Sequence, residues 1–121
     1  MAANQYILKS SVNTATVKVA GIGSTTILLS SLASSNEQVV GTPIVNILSI
    51  AWTGSVGSSF SITRSGVEIV SGPCDQPYEL NFAGSGFTDT VENTGDMEVT
   101  IVGANAQLYI IMRKASGFEL V

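Results

Sequence analysis

Histidine is absent from the 121 residues, so the commonest general base and metal ligand is missing. The chemistry that remains rests on one thiol and nine carboxylates. A cysteine nucleophile needs a base or a neighbouring cation to form its thiolate. The run around Cys74, Gly72-Pro73-Cys74-Asp75-Gln76-Pro77, offers neither. A single cysteine also excludes an intramolecular disulfide and hence a secreted disulfide framework.

Four of the nine acids, Asp89, Glu92, Asp96 and Glu98, fall within ten residues with no base among them. Several carboxylates on a turn suit calcium. The spacing matches no EF-hand loop, however, and strand alternation puts Asp89 and Glu92 on opposite faces. The four read as a solvated loop and strand edge that discourages edge pairing, with a cation site as the alternative. A glycosidase pair needs a set separation across a cleft, and no spacing here singles one out. Gly54-Ser55-Val56-Gly57 and Gly84-Ser85-Gly86 lead into strands rather than a helix N-terminus, so they are turns and not phosphate cradles. The expectation is a protein that is not an enzyme and carries no metal or cofactor.

The aromatic residues point instead to packing. Trp52, Phe60 and Tyr78 alternate with other core positions and are expected inside. Tyr109 lies opposite Leu108 and Ile110 on its strand, and Ile111 shares its face. That face is more apolar than the outside of a free monomer, which marks an interface. The apolar ends, Tyr6, Ile7 and Leu8 at the start and Phe118, Leu120 and Val121 at the finish, are further interface candidates.

The elements that position these residues are short strands. Ala15, Val17 and Val19 alternate with Thr14, Thr16 and Lys18, the half-buried strand pattern. Thr25 to Leu29 is the next strand, and residues 30–38 read as a surface loop with room for one helical turn. Pro43 opens the longest strand, Ile44 to Thr53. Strict alternation groups Ile44, Leu48, Ile50 and Trp52 on one face, with Asn46 intruding, and Val45, Ile47 and Ala51 on the other. Two apolar faces predict a central or doubly covered strand.

Ser65-Gly66 joins two alternating runs as a hairpin. Residues 72–77 form a loop, and Tyr78 to Phe82 a strand. Phe87 to Glu92 is an edge strand, and residues 93–96 a tight turn. Met97 to Val102 and Gln107 to Arg113 make a closing hairpin. No helical period persists. Eight or nine strands with a turn about every ten residues predict an all-β, antiparallel β-sandwich, jelly-roll-like, with an immunoglobulin-like sandwich as runner-up. The chain divides into an N-terminal arm (1–13), a sandwich domain (14–115) and a C-terminal tail (116–121).

Charge narrows the partners. Charged residues are 12% of the chain, about half the usual share, and the net charge is −4. Only Arg113 and Lys114 are adjacent; Lys9, Lys18 and Arg64 are scattered. A grip on nucleic acid or an anionic membrane needs clustered bases, so neither is an expected partner. The start of the chain lacks the features of a signal peptide, and no transmembrane span is expected.

The run Ala106-Gln107-Leu108-Tyr109-Ile110-Ile111-Met112-Arg113-Lys114, after the turn Gly103-Ala104-Asn105, resembles the closing hairpin of small virion proteins of tailed bacteriophages. The Ser/Thr/Gly turns, Val/Ile strands and few charges are similar along the whole chain. The resemblance implies a capsid decoration (cement) subunit, favoured as a homotrimer. It would be assembled in the host cytoplasm, reside in the virion, and bind the major capsid protein or other virion proteins. The alternative is a lectin-like or receptor-binding module of a tail, neck or fibre, with its ligand site in a distal loop such as 72–77 or 93–96. No catalytic or binding residue transfers from the resemblance.

Overall fold

The computed structural model describes residues 3–82 and 93–121. It is a two-sheet, all-β sandwich in which every strand pairing is antiparallel. The strands are β1 (Asn4–Ser10), β2 (Thr14–Ala20), β3 (Gly23–Ile27), β4 (Glu37–Thr53), β5 (Ser59–Arg64), β6 (Val67–Pro73), β7 (Tyr78–Asn81), β8 (Met97–Val102) and β9 (Gln107–Leu120). One sheet has the order β1-β2-β9-β4-β7 and the other β3-β8-β5-β6.

The pairing is nested. β2 pairs with β9, β3 with β8, β4 with β7 and β5 with β6. Those eight strands therefore behave as one long folded ribbon whose turn is the β5–β6 hairpin. Rolling the ribbon adds the contacts β4–β9 and β5–β8, which split it into two sheets. The hairpin residues Ser65 and Gly66 both have positive φ, at 50° and 79°. That is the backbone a two-residue turn needs to match the twist of its strands.

Alternation fills the space between the sheets. Ala15, Val17 and Val19 of β2 meet Leu108, Ile110 and Met112 of β9 on the inner face. Across from them stand Phe60 and Ile62 of β5 and Met97, Val99 and Ile101 of β8. Apart from the small Ala15, each is a branched, aromatic or thioether side chain at a period of two, so the inner faces are apolar there, with Arg64 and Lys114 the buried bases toward one end.

Five expectations change. β8 and β9 do not form the expected closing hairpin, because they lie in different sheets. The N-terminal arm joins the five-stranded sheet: β1 is a full edge strand hydrogen-bonded to β2. The C-terminal tail is the last third of β9, with Phe118 to Leu120 paired to Val39, Gln38 and Glu37. β4 thus begins at Glu37, well before Ile44. Leu29–Leu32 form a short 3-10 turn that leads into residues 33–36, and its Leu29 and Leu32 are buried.

The last change is the facing of β4. Ile47 pairs with Met112 and Ser49 with Ile111, so Leu48 is an extra residue in a β-bulge. The bulge reverses the parity. Val45 and Ile47 point inward before it, and Ile50 and Trp52 after it. Ile44 and Leu48 do not share the inner face with Ile50. The expected edge strand Phe87 to Glu92 and the turn at 83–86 lie outside the described residues.

Candidate interaction faces

Two of the five bases are not on the surface at all. Lys114 is buried at one end of the sandwich, where Nζ donates to Glu37 Oε1 at 2.5 Å, to Ser10 Oγ at 3.0 Å and to the Leu32 carbonyl at 3.2 Å. The Lys114 ammonium, aided by the Ser34 backbone N–H, holds the Glu37 carboxyl below the usual carboxylate range. Arg64 is fully buried between the sheets. It donates to the carbonyls of Val45 (2.8 Å), Asn93 (2.9 Å) and Gly95 (2.9 Å). One guanidinium therefore ties β5 of one sheet to β4 of the other and to the turn before β8.

The remaining bases share one surface. The pairing sets Tyr6, Lys18, Tyr109, Ala51 and Glu79 in one row across the outer face of the five-stranded sheet. Lys9, Thr16, Ile111, Ser49 and Asn81 form the next row, and Thr14, Arg113 and Asn46 a third. Lys9, Lys18 and Arg113 thus all stand on this face, with Tyr6 and Ile111 exposed beside them. The Lys18 ammonium lies 5.8 Å from the centre of the Tyr109 ring, within cation–π range.

The outer face of the four-stranded sheet is of opposite character. Ser24, Thr26, Ser59, Ser61, Thr63, Ser71 and Thr100 line it with the acids Glu68 and Glu98 and no base. Small hydroxyl side chains leave a shallow groove of about 340 Å³ over Ser59, Ser61, Ser71 and Thr100.

The interface candidates separate by place. Tyr6, Tyr109 and Ile111 come together on the basic face. Ile7 and Leu8 lie on the β1 edge, both exposed, next to a bulge between Ile7 and Lys9. That edge is partly closed: Gln5 Nε2 donates to Thr25 Oγ1 at 3.0 Å and to the Thr26 carbonyl at 2.7 Å, pinning β1 to β3. Leu120 is exposed at the far end of β9. Phe118 is half-buried: it packs on the core beneath the Lys114 ammonium, 5.1 Å from the ring centre.

The acidic quartet is only half within view, since Asp89 and Glu92 lie outside the described residues. Asp96 Oδ1 accepts the Leu29 N–H at 2.8 Å, so this carboxylate holds the start of the 3-10 turn. Among the described residues no cluster of three or more metal-ligating side chains occurs. Cys74 is buried, and desolvation with the nearby Asp75 charge pushes its thiol up, away from the reactive thiolate.

The aromatic expectation is the one most altered. Phe60 is in the core, but Trp52 is half-buried and Tyr78 is 62% exposed. Trp52 sits between them, its ring centre 4.7 Å from Phe60 and 5.2 Å from Tyr78. All three point between the sheets, but β7 is a short edge strand and Tyr78 is its first residue. The core ends there, and an open cavity of about 300 Å³ lies among Trp52, Pro73, Asp75, Gln76 and Tyr78. Trp52 Nε1 donates to the Pro73 carbonyl at 3.0 Å, fixing the indole under the loop. The sequence signal was the proline-bracketed loop 72–77 running directly into an aromatic residue.

No protein-family model, curated protein or solved structure matches this chain.

Proposed function

We propose that the chain is a structural virion subunit, a capsid decoration protein that binds across neighbouring major capsid proteins and stabilises the shell. The observation that carries this reading is the outer face of the five-stranded sheet. Every solvent-facing base among the described residues stands there with Tyr6, Tyr109 and Ile111. A chain of net charge −4 that gathers its three solvent-facing bases on one broad face, beside exposed Tyr6 and Ile111 and with Glu79 at its β7 edge, presents a face suited to an acidic protein neighbour.

The fold supports the same reading. We interpret the nested strand order as a jelly roll, an architecture common in capsid proteins and lectins. Fold alone does not fix a role, so the face carries more of the argument than the topology. Its mechanism is burial of that face, with the β1 edge and the Leu120 end as secondary contacts. The reading includes a homotrimer located in the virion.

The test is sedimentation of the purified chain with expanded capsids of the phage that carries its gene. Binding that saturates at a fixed ratio and weakens with added salt, as screening of the cationic face requires, supports the proposal. A chain that stays in the supernatant at low salt overturns it.

A further inference from the structure

We propose that the open cavity beside the Trp52–Tyr78 pair, lined also by Pro73, Asp75 and Gln76, binds a neutral saccharide ring. This goes beyond the assembly reading and does not depend on it, since the cavity opens at the end of the sandwich formed by Thr53 and Gln107, away from the basic sheet face.

The chemistry of the lining selects the ligand. A pyranose presents an apolar patch of C–H groups on one face and hydroxyls around its rim. The cavity presents the complement: a wall made by two aromatic rings packed against each other, centres 5.2 Å apart, with a carboxylate and an amide beside it. Ligand sites of this kind combine an aromatic wall with a few polar groups that set orientation, and about 300 Å³ is the small end of their size range. Asp75 as a carboxylate accepts from adjacent hydroxyls, and Gln76 both donates and accepts. Neither side chain has a hydrogen-bond partner among the described residues, so both are available to a ligand. No base lines the cavity, and the Asp75 charge disfavours phosphate or an acidic sugar.

The walls are held in place before any ligand arrives. Trp52 is fixed by Phe60 beneath it and by its bond to the Pro73 carbonyl. The loop is anchored by the Cys74 N–H, which donates to the Ser58 carbonyl at 2.8 Å. Gly54 makes this possible: a Cβ there would lie 2.5 Å from Ser58 Oγ and 2.9 Å from the Cys74 carbonyl oxygen. A protein partner would also use Trp and Tyr as anchors, but such anchors sit in dry centres depleted of Asp. Here the aromatic pair is rimmed by an unpaired carboxylate.

Trp52 is the only tryptophan, so its fluorescence reports on this cavity alone. The full chain is titrated with the methyl glycosides of glucose, galactose, mannose and N-acetylglucosamine. A saturable change in Trp52 emission is expected with at least one of them, with a Kd of about 1–10 mM for a single ring in an open site. Tyr78→Ala should abolish the change, Tyr78→Phe should retain it, and Asp75→Asn should weaken binding about tenfold. These side chains are exposed, so the variants should unfold at the wild-type midpoint; if Tyr78→Ala does not, Asp75→Asn and Gln76→Ala decide. No saturable change with any of the four glycosides overturns the proposal. So does a change that survives Tyr78→Ala in a folded chain, or self-association of the wild type that Tyr78→Ala abolishes. None of these outcomes bears on capsid binding.

Discussion

Lys114 and Glu37 face each other across the β4–β9 ribbon as a buried ion pair, Nζ to Oε1 at 2.5 Å. The residue directly paired with Glu37 is Leu120, so the contact joins β9 diagonally to the start of β4. It also gathers Ser10 from the end of β1 and Leu32 from the 3-10 turn. One ammonium thus fastens four segments at one end of the sandwich.

Removing one partner should cost more than removing both. Glu37→Ala leaves a buried ammonium without its carboxylate and should destabilise the fold by about 3 kcal/mol. Lys114→Met together with Glu37→Leu should recover much of that loss. Urea unfolding of the single and double variants measures the difference.

The same pair sets an acid limit. The Glu37 carboxyl lies below its ordinary value of 4.5 in the folded chain. Its stabilisation is therefore complete above that ordinary value and is lost as pH falls through the lowered folded value. The urea midpoint should drop as pH goes below about 4.5, and Glu37→Gln should flatten that drop. An unchanged acid slope in the variant would contradict the assignment.

Arg64 should tolerate no conservative exchange. Its fork reaches three carbonyls on β4 and the 93–95 turn at once, which a lysine ammonium on a shorter stem cannot do. Arg64→Lys should cost roughly 3 kcal/mol, since buried carbonyls lose charged donors. Thermal unfolding checks this directly.

Cys74 should be slow to react. Burial and Asp75 keep the thiol protonated, so a chromogenic disulfide reagent at neutral pH should label it only at the rate of local or global opening. Adding urea past the midpoint should make labelling immediate.

Much of the frame was legible in the residues. Val17, Val19, Leu108, Ile110 and Met112 alternate cleanly, and they line the core because nothing interrupts their period of two. The Ser65-Gly66 hairpin was legible for the same local reason. What escaped depended on long-range contacts. Leu48 reads as an ordinary strand position, and only its pairing with β9 makes it a bulge that turns Ile50 and Trp52 inward.

Lys114 reads as a surface base beside Arg113. Only the closure of β4 on β9 brings Glu37, distant in sequence, to neutralise it. Tyr78 has the alternation of a core residue, but its strand is four residues long and at the sheet edge, so the core stops short of it. The basic face was half legible. Tyr109 and Ile111 are neighbours in sequence, whereas Tyr6, Lys9 and Lys18 join them only through the β1–β2–β9 register.

The most direct test of the central claim is sedimentation of Ile111→Asp and Tyr109→Asp chains with expanded capsids, beside urea unfolding of each variant alone. Ile111 is only partly covered in the free chain, so Ile111→Asp should cost folding no more than about 1 kcal/mol. Capsid binding should fall at least tenfold for both variants, because a carboxylate then stands in the face proposed to dock on acidic protein. Binding that is unchanged in both variants, or lost only in proportion to their loss of stability, would contradict the claim that this face is where the subunit docks.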